Sequence, residues 1–204
     1  MTPDKLVAKF PIISEQIKRA ELLVLLRELQ RVLQKKVAGD VVELGCYEGT
    51  SALFFARMLK ELAPGKELYL YDSFEGLPAK ATEDLSAAGE LFVEGELRAS
   101  RSQLTKNFVH AGLALPHIYK AWFEDLIPAN LPDQVCFAFL DGDFYESIKT
   151  SLALVWPKMA PGGVIIIDDY QNPALPGAQR AADEFAEANG LQVRAEQSLA
   201  IIRI

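Results

Sequence analysis

Short apolar segments alternate with longer segments of helical periodicity along almost the whole chain, and this alternation sharply limits the folds it can adopt. Strand patterns occur at residues 40–44, 67–72, 118–122, 135–140 and 164–167, and helical patterns occur at 14–36, 50–62, 103–110, 145–156 and 179–188. This order predicts a mainly parallel sheet with helices on both faces. Two final strand patterns, 192–196 and 199–204, are joined by a turn so short that they must pair antiparallel. We therefore predict an α/β fold with seven strands and a C-terminal antiparallel hairpin.

The length of 204 residues fits one domain that spans residues 1–204. Within it, residues 1–38 form an N-terminal helical segment. The stretch at 73–107 is less regular and rich in Glu, Ala, Ser and Gly. It could act as a lid over a ligand, or it could be an ordinary exposed loop.

Composition and charge exclude several classes of function. No apolar run is long enough to cross a bilayer, and the N-terminus lacks a basic segment leading into an apolar one, so we expect no membrane association and no secretory signal. Cys46 and Cys136 stand alone, without the spacing of a zinc site or a disulfide framework, which is typical of a cytoplasmic protein. The net charge is −7 and basic clusters are lacking, so we expect no nucleic-acid partner.

A glycine-bearing turn follows the first predicted strand. Gly45 permits a tight turn and a close approach of the backbone, and Gly49 lets the next helix begin against a ligand. Thr50 and Ser51 offer hydroxyl and N–H groups there, and Glu43 is placed to meet the ammonium group of a methionine-like ligand. The three-glycine dinucleotide motif is absent. The alternative is that the glycines serve only the strand-to-helix turn.

A single carboxylate closes the second predicted strand. Asp72 could accept hydrogen bonds from both hydroxyls of an adenosine ribose, as acidic residues at this position do in nucleotide-binding folds. Ser73, which follows it, belongs to the same predicted cofactor site. The alternative for Asp72 is a helix cap or a solvated loop residue.

Four aspartates follow two other predicted strands directly. Asp141 and Asp143 come after one strand, and Asp168 and Asp169 come after the next. The carboxyl ends of parallel strands meet at one edge of a sheet, where four carboxylates repel one another unless a proton or a cation lies among them. Oxygen ligands in that number suit Mg²⁺. Turn formation and capping are the ordinary alternative for each residue.

Several ordered motifs resemble one known family. Residues 72–78, 121–128, 140–147 and 161–170 closely resemble motifs of the macrocin O-methyltransferase family, whose members methylate sugar hydroxyls on antibiotics. The likeness covers roughly residues 37–172. It implies a Rossmann-like fold and S-adenosylmethionine as the methyl donor.

The resemblance also implies roles for individual residues. A magnesium site would be made by Asp141, Asp168 and Asp169, with Asp141 also bordering the cofactor, and Asp143 would be the general base. Trp122 and Phe123 would lie against the adenine, although without the family we would interpret them as core aromatics.

The chain departs from the family in its first motif and its N-terminal region. Residues 46–48 read Cys-Tyr-Glu, where the family usually has Val-Trp-Arg between the two glycines. The region before the first strand is also shorter than in antibiotic-tailoring members. Both departures concern the acceptor more than the cofactor or the metal.

These features together predict an S-adenosylmethionine-dependent O-methyltransferase. Its acceptor would be a hydroxylated small molecule, sugar-like or with a vicinal diol, because two adjacent hydroxyls chelate a metal best. A catechol-type acceptor, a non-catalytic S-adenosylmethionine-binding subunit and an NAD-dependent oxidoreductase are the alternatives, in that order. His110 and His117 could contact the acceptor but are typical surface histidines. The leucine-rich face of residues 22–33 could pack on its own sheet or in a homo-oligomer.

Overall fold

The computed structural model describes residues 1–87 and 91–204, so part of the predicted stretch at 73–107, residues 88–90, lies outside the described residues. Seven strands form one sheet. They are β1 (Asp40–Leu44), β2 (Leu68–Asp72), β3 (His117–Lys120), β4 (Val135–Leu140), β5 (Met159–Ile167), β6 (Arg194–Glu196) and β7 (Leu199–Arg203). Their order across the sheet is β3-β2-β1-β4-β5-β7-β6.

The first five strands pair parallel, and β7 pairs antiparallel with both β5 and β6. This confirms the predicted sheet and its C-terminal hairpin. The chain passes from β1 outward to β3 and then returns to β4 beside β1. The strand order reverses there, and ligands bind at such a switch point, outside the carboxyl ends of the strands.

In the part of the chain that the structure describes, six α-helices surround the sheet. They are α1 (Pro3–Lys9), α2 (Arg19–Gln34), α3 (Thr50–Leu62), α4 (Arg101–His110), α5 (Tyr145–Val155) and α6 (Pro176–Ala188). One core contains the leucines of α2 and the phenylalanines of α3, where Phe55 meets Phe137 and Phe139 edge to face. The second core packs α5 and α6 against the opposite face of the sheet. Helices therefore cover both faces, as predicted.

The leucine-rich face of α2 packs inside its own domain. Its leucines are fully buried against the sheet of the same chain, namely Leu22, Leu25, Leu26 and Leu29. This face therefore packs on its own sheet. None of the helices in the described parts of the chain is long and apolar enough to cross a bilayer.

Several boundaries differ from the sequence prediction, by one to five residues. Helix α2 begins at Arg19 rather than at residue 14, because Glu21 accepts a hydrogen bond from the N–H of Lys18 and so caps the helix at that point. Strand β3 ends at Lys120, before Trp122. Strand β5 begins at Met159, where Met159 pairs with β4 across an irregular register that the pattern around two glycines did not reveal.

Candidate functional site

A cavity of about 400 Å³ opens at the carboxyl edge of the sheet. It is lined by the glycine turn after β1, the ends of β2, β4 and β5, the turn before β7, and parts of three loops. The lining includes Glu15, Gln16, Lys18, Glu21, Gly45, Tyr47, Asp72, Ser73, Leu77, Phe92, Leu97, Trp122, Phe123, Glu124, Asp141, Asp143, Asp168, Asp169, Gln171, Asn172 and Ser198. All four predicted aspartates therefore share one cavity wall with the predicted cofactor residues Gly45, Asp72 and Ser73. Four other predicted cofactor residues do not line the cavity and are described below.

The glycine turn passes against the backbone at the end of β4. Gly45 has a left-handed backbone with φ of 87°, and a Cβ atom placed there would lie 1.8 Å from the carbonyl oxygen of Asp141. Only glycine fits this contact. The two predicted site segments are thus pressed together by the backbone itself.

Asp72 holds the glycine turn in place. Its Oδ2 accepts hydrogen bonds from the N–H groups of Cys46 and Tyr47, each at 2.9 Å, and its Oδ1 accepts one from Phe74 N–H at 2.7 Å. Carboxylate oxygens have about four acceptor positions between them, so capacity for a further donor is left. Asp72 therefore shapes the loop and still faces the cavity, beside Ser73.

Four predicted cofactor residues lie behind the glycine turn rather than on the cavity wall. Glu43 is fully buried, and its Oε1 accepts a hydrogen bond from the Ser51 hydroxyl. The Thr50 hydroxyl lies 2.9 Å from that of Ser14. Gly49 caps the start of α3 with φ of 87°, and a Cβ atom placed on it would lie 2.3 Å from the side chain of Leu104. The structure thus places these side chains where they support the turn.

Aromatic side chains border the cavity near Asp72. Trp122 and Phe123 follow the end of β3, and the N–H of Ala121 donates to the carbonyl of Asp72, which fixes this segment beside β2. Tyr47 also lines the cavity, with φ of 46° in the glycine turn. The sequence prediction missed Tyr47, and the only signal for it is its position between the two glycines.

Three of the aspartates form a compact cluster. One carboxylate oxygen from each of Asp141, Asp143 and Asp169 lies within 4.8 Å of the others. Asp143 and Asp169 both have left-handed backbones, with φ of 59° and 57°. Strained conformations of this kind persist where the surrounding structure enforces them and are common at functional sites.

The cluster is electrostatically unfavourable without a cation. Burial and the neighbouring carboxylates raise the pKa values of Asp141 and Asp143 well above their usual range, and burial raises that of Asp169. Burial, with the charge of Asp169, raises the pKa of Asp168 to about 8. Among the described residues that line the cavity, eight side chains are acidic and Lys18 alone is basic. A protein does not gather such groups for stability, so they indicate a ligand of positive charge.

Asp168 has hydrogen-bond partners of its own on one carboxylate oxygen. Its Oδ1 accepts hydrogen bonds from the N–H of Asp169 at 2.8 Å and from the hydroxyl of Ser198 at 3.4 Å. Asn172 donates from its side chain to Oδ1 of Asp169 at 2.8 Å. Glu21, Asn172 and Ser198 were not predicted as site residues, because only the folded chain brings them to the strand ends.

The described part of the stretch at 73–107, a possible lid or an exposed loop, is held by contacts within itself and with α5. Leu77 exchanges two backbone hydrogen bonds with residues 95 and 96, at 2.9 and 2.8 Å. Asp84, itself buried, accepts a hydrogen bond from the N–H of Tyr145 at 2.7 Å. Phe92 and Leu97 pack beside Leu77 and line the cavity. The described part of this stretch therefore forms a wall of the cavity.

The sheet order, the antiparallel hairpin and a cavity at the carboxyl edge define the class of Rossmann-like methyltransferase folds. The chain belongs to the macrocin O-methyltransferase (TylF) family, whose model matches residues 12–197. This confirms the family that the sequence motifs resemble.

Two curated relatives and one solved structure illustrate the relationship. The chain is 32% identical over 169 residues to 8-demethyl-8-(2,3-dimethoxy-alpha-L-rhamnosyl)-tetracenomycin-C 4'-O-methyltransferase of Streptomyces olivaceus, a match covering 80% of this chain and 64% of that protein. It is 27% identical to mycinamicin III 3''-O-methyltransferase of Micromonospora griseorubida, covering 80% and 66%. The structure of the O-methyltransferase NovP has the same fold, with a TM-score of 0.80 and 24% identity over 92% of this chain and 80% of that one. The chain spans just under two thirds of the length of the two curated relatives.

Proposed function

We propose that this protein transfers a methyl group from S-adenosylmethionine to a hydroxyl of a sugar-like small molecule, beside a bound divalent cation. The observation that carries the proposal is the carboxylate cluster of Asp141, Asp143 and Asp169 in the same cavity as Asp72 and the aromatic segment. Family membership and the names of the two relatives, both O-methyltransferases and one of them acting on a rhamnosyl tetracenomycin, support the reaction class.

The donor fits the half of the cavity between β1 and β3. Asp72 and Ser73 would accept and donate hydrogen bonds at the ribose, while Trp122 and Phe123 offer ring faces and edges to the adenine. The turn at Gly45 leaves the backbone close to the ligand. Glu43 would act through the shape of this turn, because it lies behind it.

The residues at the other end fit a divalent cation. Carboxylate oxygens are the ligands that Mg²⁺ prefers, and those of Asp141 and Asp169 lie within 4.8 Å of each other, with that of Asp143 beside them. Asp141 and Asp169 belong both to this cluster and to the ligand set that the family resemblance implies. When bound, the cation supplies positive charge that lowers the pKa of a nearby hydroxyl and fixes its position.

The chain's own residues would then complete the transfer. As the new bond forms between the acceptor oxygen and the methyl carbon, the bond from that carbon to the sulfonium breaks, leaving S-adenosylhomocysteine. The hydroxyl proton passes to a carboxylate oxygen of Asp143, which faces the same space as Asp141 and Asp169. Holding donor and acceptor in one cavity supplies much of the rate enhancement.

The roles of Asp143 and Asp168 are separated by one experiment. Turnover of S-adenosylmethionine is measured with a panel of glycosides and catechols, with Mg²⁺ and with chelator, alongside the affinity for Mn²⁺. We expect Asp143→Asn to lose roughly 10²–10⁴ of the rate while keeping Mn²⁺ binding, since general bases contribute that much. Asp168→Asn should weaken Mn²⁺ binding. The matched control is Asp133→Asn, on a fully exposed residue remote from the cavity.

Each failure has a distinct meaning in this design. Turnover that survives chelation and both the Asp143→Asn and the Asp168→Asn substitution would refute the cation and base roles. Turnover of catechols alone would refute the sugar-like acceptor and support a catechol-type acceptor. Binding of NAD in place of S-adenosylhomocysteine would refute the whole proposal.

We also propose a cytoplasmic location. Cys46 and Cys136 are both buried free thiols, as is usual for proteins in a reducing compartment.

A further inference from the structure

Ser198 lies between two buried carboxylates that come from opposite ends of the chain. Its hydroxyl donates to Oε1 of Glu21 at 2.8 Å and reaches Oδ1 of Asp168 at 3.4 Å. Glu21 belongs to the first turn of α2, and Asp168 follows β5; both side chains are more than nine-tenths buried. One hydroxyl proton is therefore shared in a three-centre arrangement that joins α2 to the edge of the sheet that carries the four aspartates.

The turn that carries Ser198 is fixed from both sides. Gln197 has a left-handed backbone with φ of 56°, and the carbonyl of Ser198 accepts the N–H of Gln171 at 3.3 Å. Glu21 is fixed in turn, since its Oε2 accepts the N–H of Lys18 at 2.8 Å. The Ser198 hydroxyl thus has a set position relative to both carboxylates.

These contacts leave one oxygen of Asp168 available. Oδ1 is occupied by the N–H of Asp169 and by the Ser198 hydroxyl. Within residues 1–87 and 91–204, Oδ2 accepts no hydrogen bond, while the residue lines the cavity that holds the other three aspartates. A carboxylate held by one oxygen presents the other in a defined direction.

We propose that Ser198, itself oriented by Glu21, is a positioning residue that aims Asp168 Oδ2 at the divalent cation. This inference rests on the proposed function for the existence of the cation and adds to it the side chains that orient one ligand. Hydrogen-bond partners of metal ligands commonly change metal affinity by about 10–100-fold when removed, because the ligand loses its orientation.

The test measures Mn²⁺ affinity by titration calorimetry, together with the affinity for S-adenosylhomocysteine and the melting temperature. We expect Ser198→Ala to weaken Mn²⁺ binding by about 10–100-fold, while S-adenosylhomocysteine binding and the melting temperature stay close to wild type. Ser198→Thr keeps the hydroxyl and should restore most of the affinity. Ser102→Ala, the same change on an exposed serine of α4, is the matched control and should have no effect.

A double-mutant cycle tests whether Glu21 acts through Ser198. The Glu21→Ala, Ser198→Ala protein should bind Mn²⁺ no more weakly than Ser198→Ala alone, because the two residues form one unit. Additive losses would overturn the role of Glu21 in orienting Ser198.

Two other outcomes have separate meanings. If Ser198→Ala binds Mn²⁺ as tightly as wild type while Asp169→Asn does not, the inference is overturned and the proposed cation site stands. If wild type binds no divalent cation, the cation role in the proposed function fails and the positioning role fails with it.

Discussion

The carbonyl oxygen of Asp141 occupies the space that a side chain on Gly45 would need, 1.8 Å from the position of its Cβ. The end of β4 and the turn after β1 are thereby locked together at the point where the proposed donor and cation sites meet. A change at Gly45 should therefore affect both the fold and the site.

Gly45→Ala should lower the free energy of unfolding by about 2–4 kcal/mol, since it adds left-handed backbone strain to overpacking. Gly112→Ala is the matched control, because Gly112 also has positive φ but nothing lies within 4 Å of its Cβ position. Gly112→Ala should lower the free energy of unfolding by about 1–2 kcal/mol, the effect of left-handed backbone strain alone. Urea denaturation of both variants checks the difference, and equal losses would show that the contact with Asp141 relaxes freely.

Glu43 offers a test of whether a buried acid supports the glycine turn or binds the donor. Burial raises its pKa to about 8, so the group is largely protonated at neutral pH, and Oε2 has no hydrogen-bond partner among the described residues. Glu43→Gln copies the protonated form and should leave the affinity for S-adenosylhomocysteine almost unchanged. Asp72→Asn should lower that affinity, because Asp72 holds three loop N–H groups. A large loss in Glu43→Gln, measured by calorimetry, would instead support direct contact with the ammonium group.

The raised pKa of Glu43 also makes the stability of the folded protein depend on pH. A carboxyl group with a raised pKa keeps its proton in the folded protein while the unfolded chain has released it, so the contribution of Glu43 falls as pH rises from about 4.5 to about 8. Glu43→Gln removes this dependence. Its stability relative to wild type should therefore increase with pH over that window.

The aspartate cluster should make stabilisation by Mg²⁺ depend on pH. Burial raises the pKa of Asp168 to about 8 and those of the other three aspartates in the same direction. The metal-free protein therefore loses stability as pH rises through this range, because the cluster must release protons that the folded state holds. A cation replaces those protons, so its effect should be small at pH 5 and large at pH 8.

A hundredfold excess of ligand over Kd stabilises a protein by about 2.7 kcal/mol, or roughly 5–10 °C in Tm for a chain of this size. Thermal melts with and without MgCl₂ at pH 5 and at pH 8 measure this shift in Tm. The Asp168→Asn, Asp169→Asn double variant should show no cation effect at either pH. Equal Mg²⁺ shifts in the wild type at pH 5 and pH 8 would contradict a cation bound by these groups.

The sheet could be predicted from the sequence because its signals are local. Most strands are short apolar runs, most helices have their own periodicity, and the two-residue turn at Gln197 and Ser198 permits only antiparallel pairing. Strand ends then bring Asp72, Asp141 and Asp169 to one cavity by topology alone.

The rest of the site depends on contacts between distant parts of the chain. Glu21 and Ser198 are 177 residues apart in sequence, yet their side chains form one hydrogen bond. Because α2 begins after the cap at Lys18, residues Glu15, Gln16 and Lys18 line the cavity, which a helix predicted from residue 14 did not indicate. The sequence also did not indicate the direction of individual side chains. Thr50 and Ser51 begin α3 as predicted but face away from the cavity.

The two tryptophans of the chain allow the donor site to be located by fluorescence. Trp122 lines the cavity, whereas Trp156 is partly buried and packs edge-on against Phe185 of α6 at the border of the second core. In Trp156→Phe the remaining indole is the one proposed to lie against the adenine, so S-adenosylhomocysteine should change its emission. In Trp122→Phe the same ligand should leave the emission unchanged.

Affinity provides the second half of this test. Trp122→Ala should weaken S-adenosylhomocysteine binding by about 1–3 kcal/mol, the usual contribution of an aromatic ring stacked on a base. Trp156→Ala is not a suitable control, because it would open a cavity in the core, so Trp156→Phe serves in its place and should bind with wild-type affinity. A ligand response from Trp156 but not from Trp122 would show that the adenine does not bind beside the segment after β3. Asp72 would then lack the role at the ribose that its position at the end of β2 indicates.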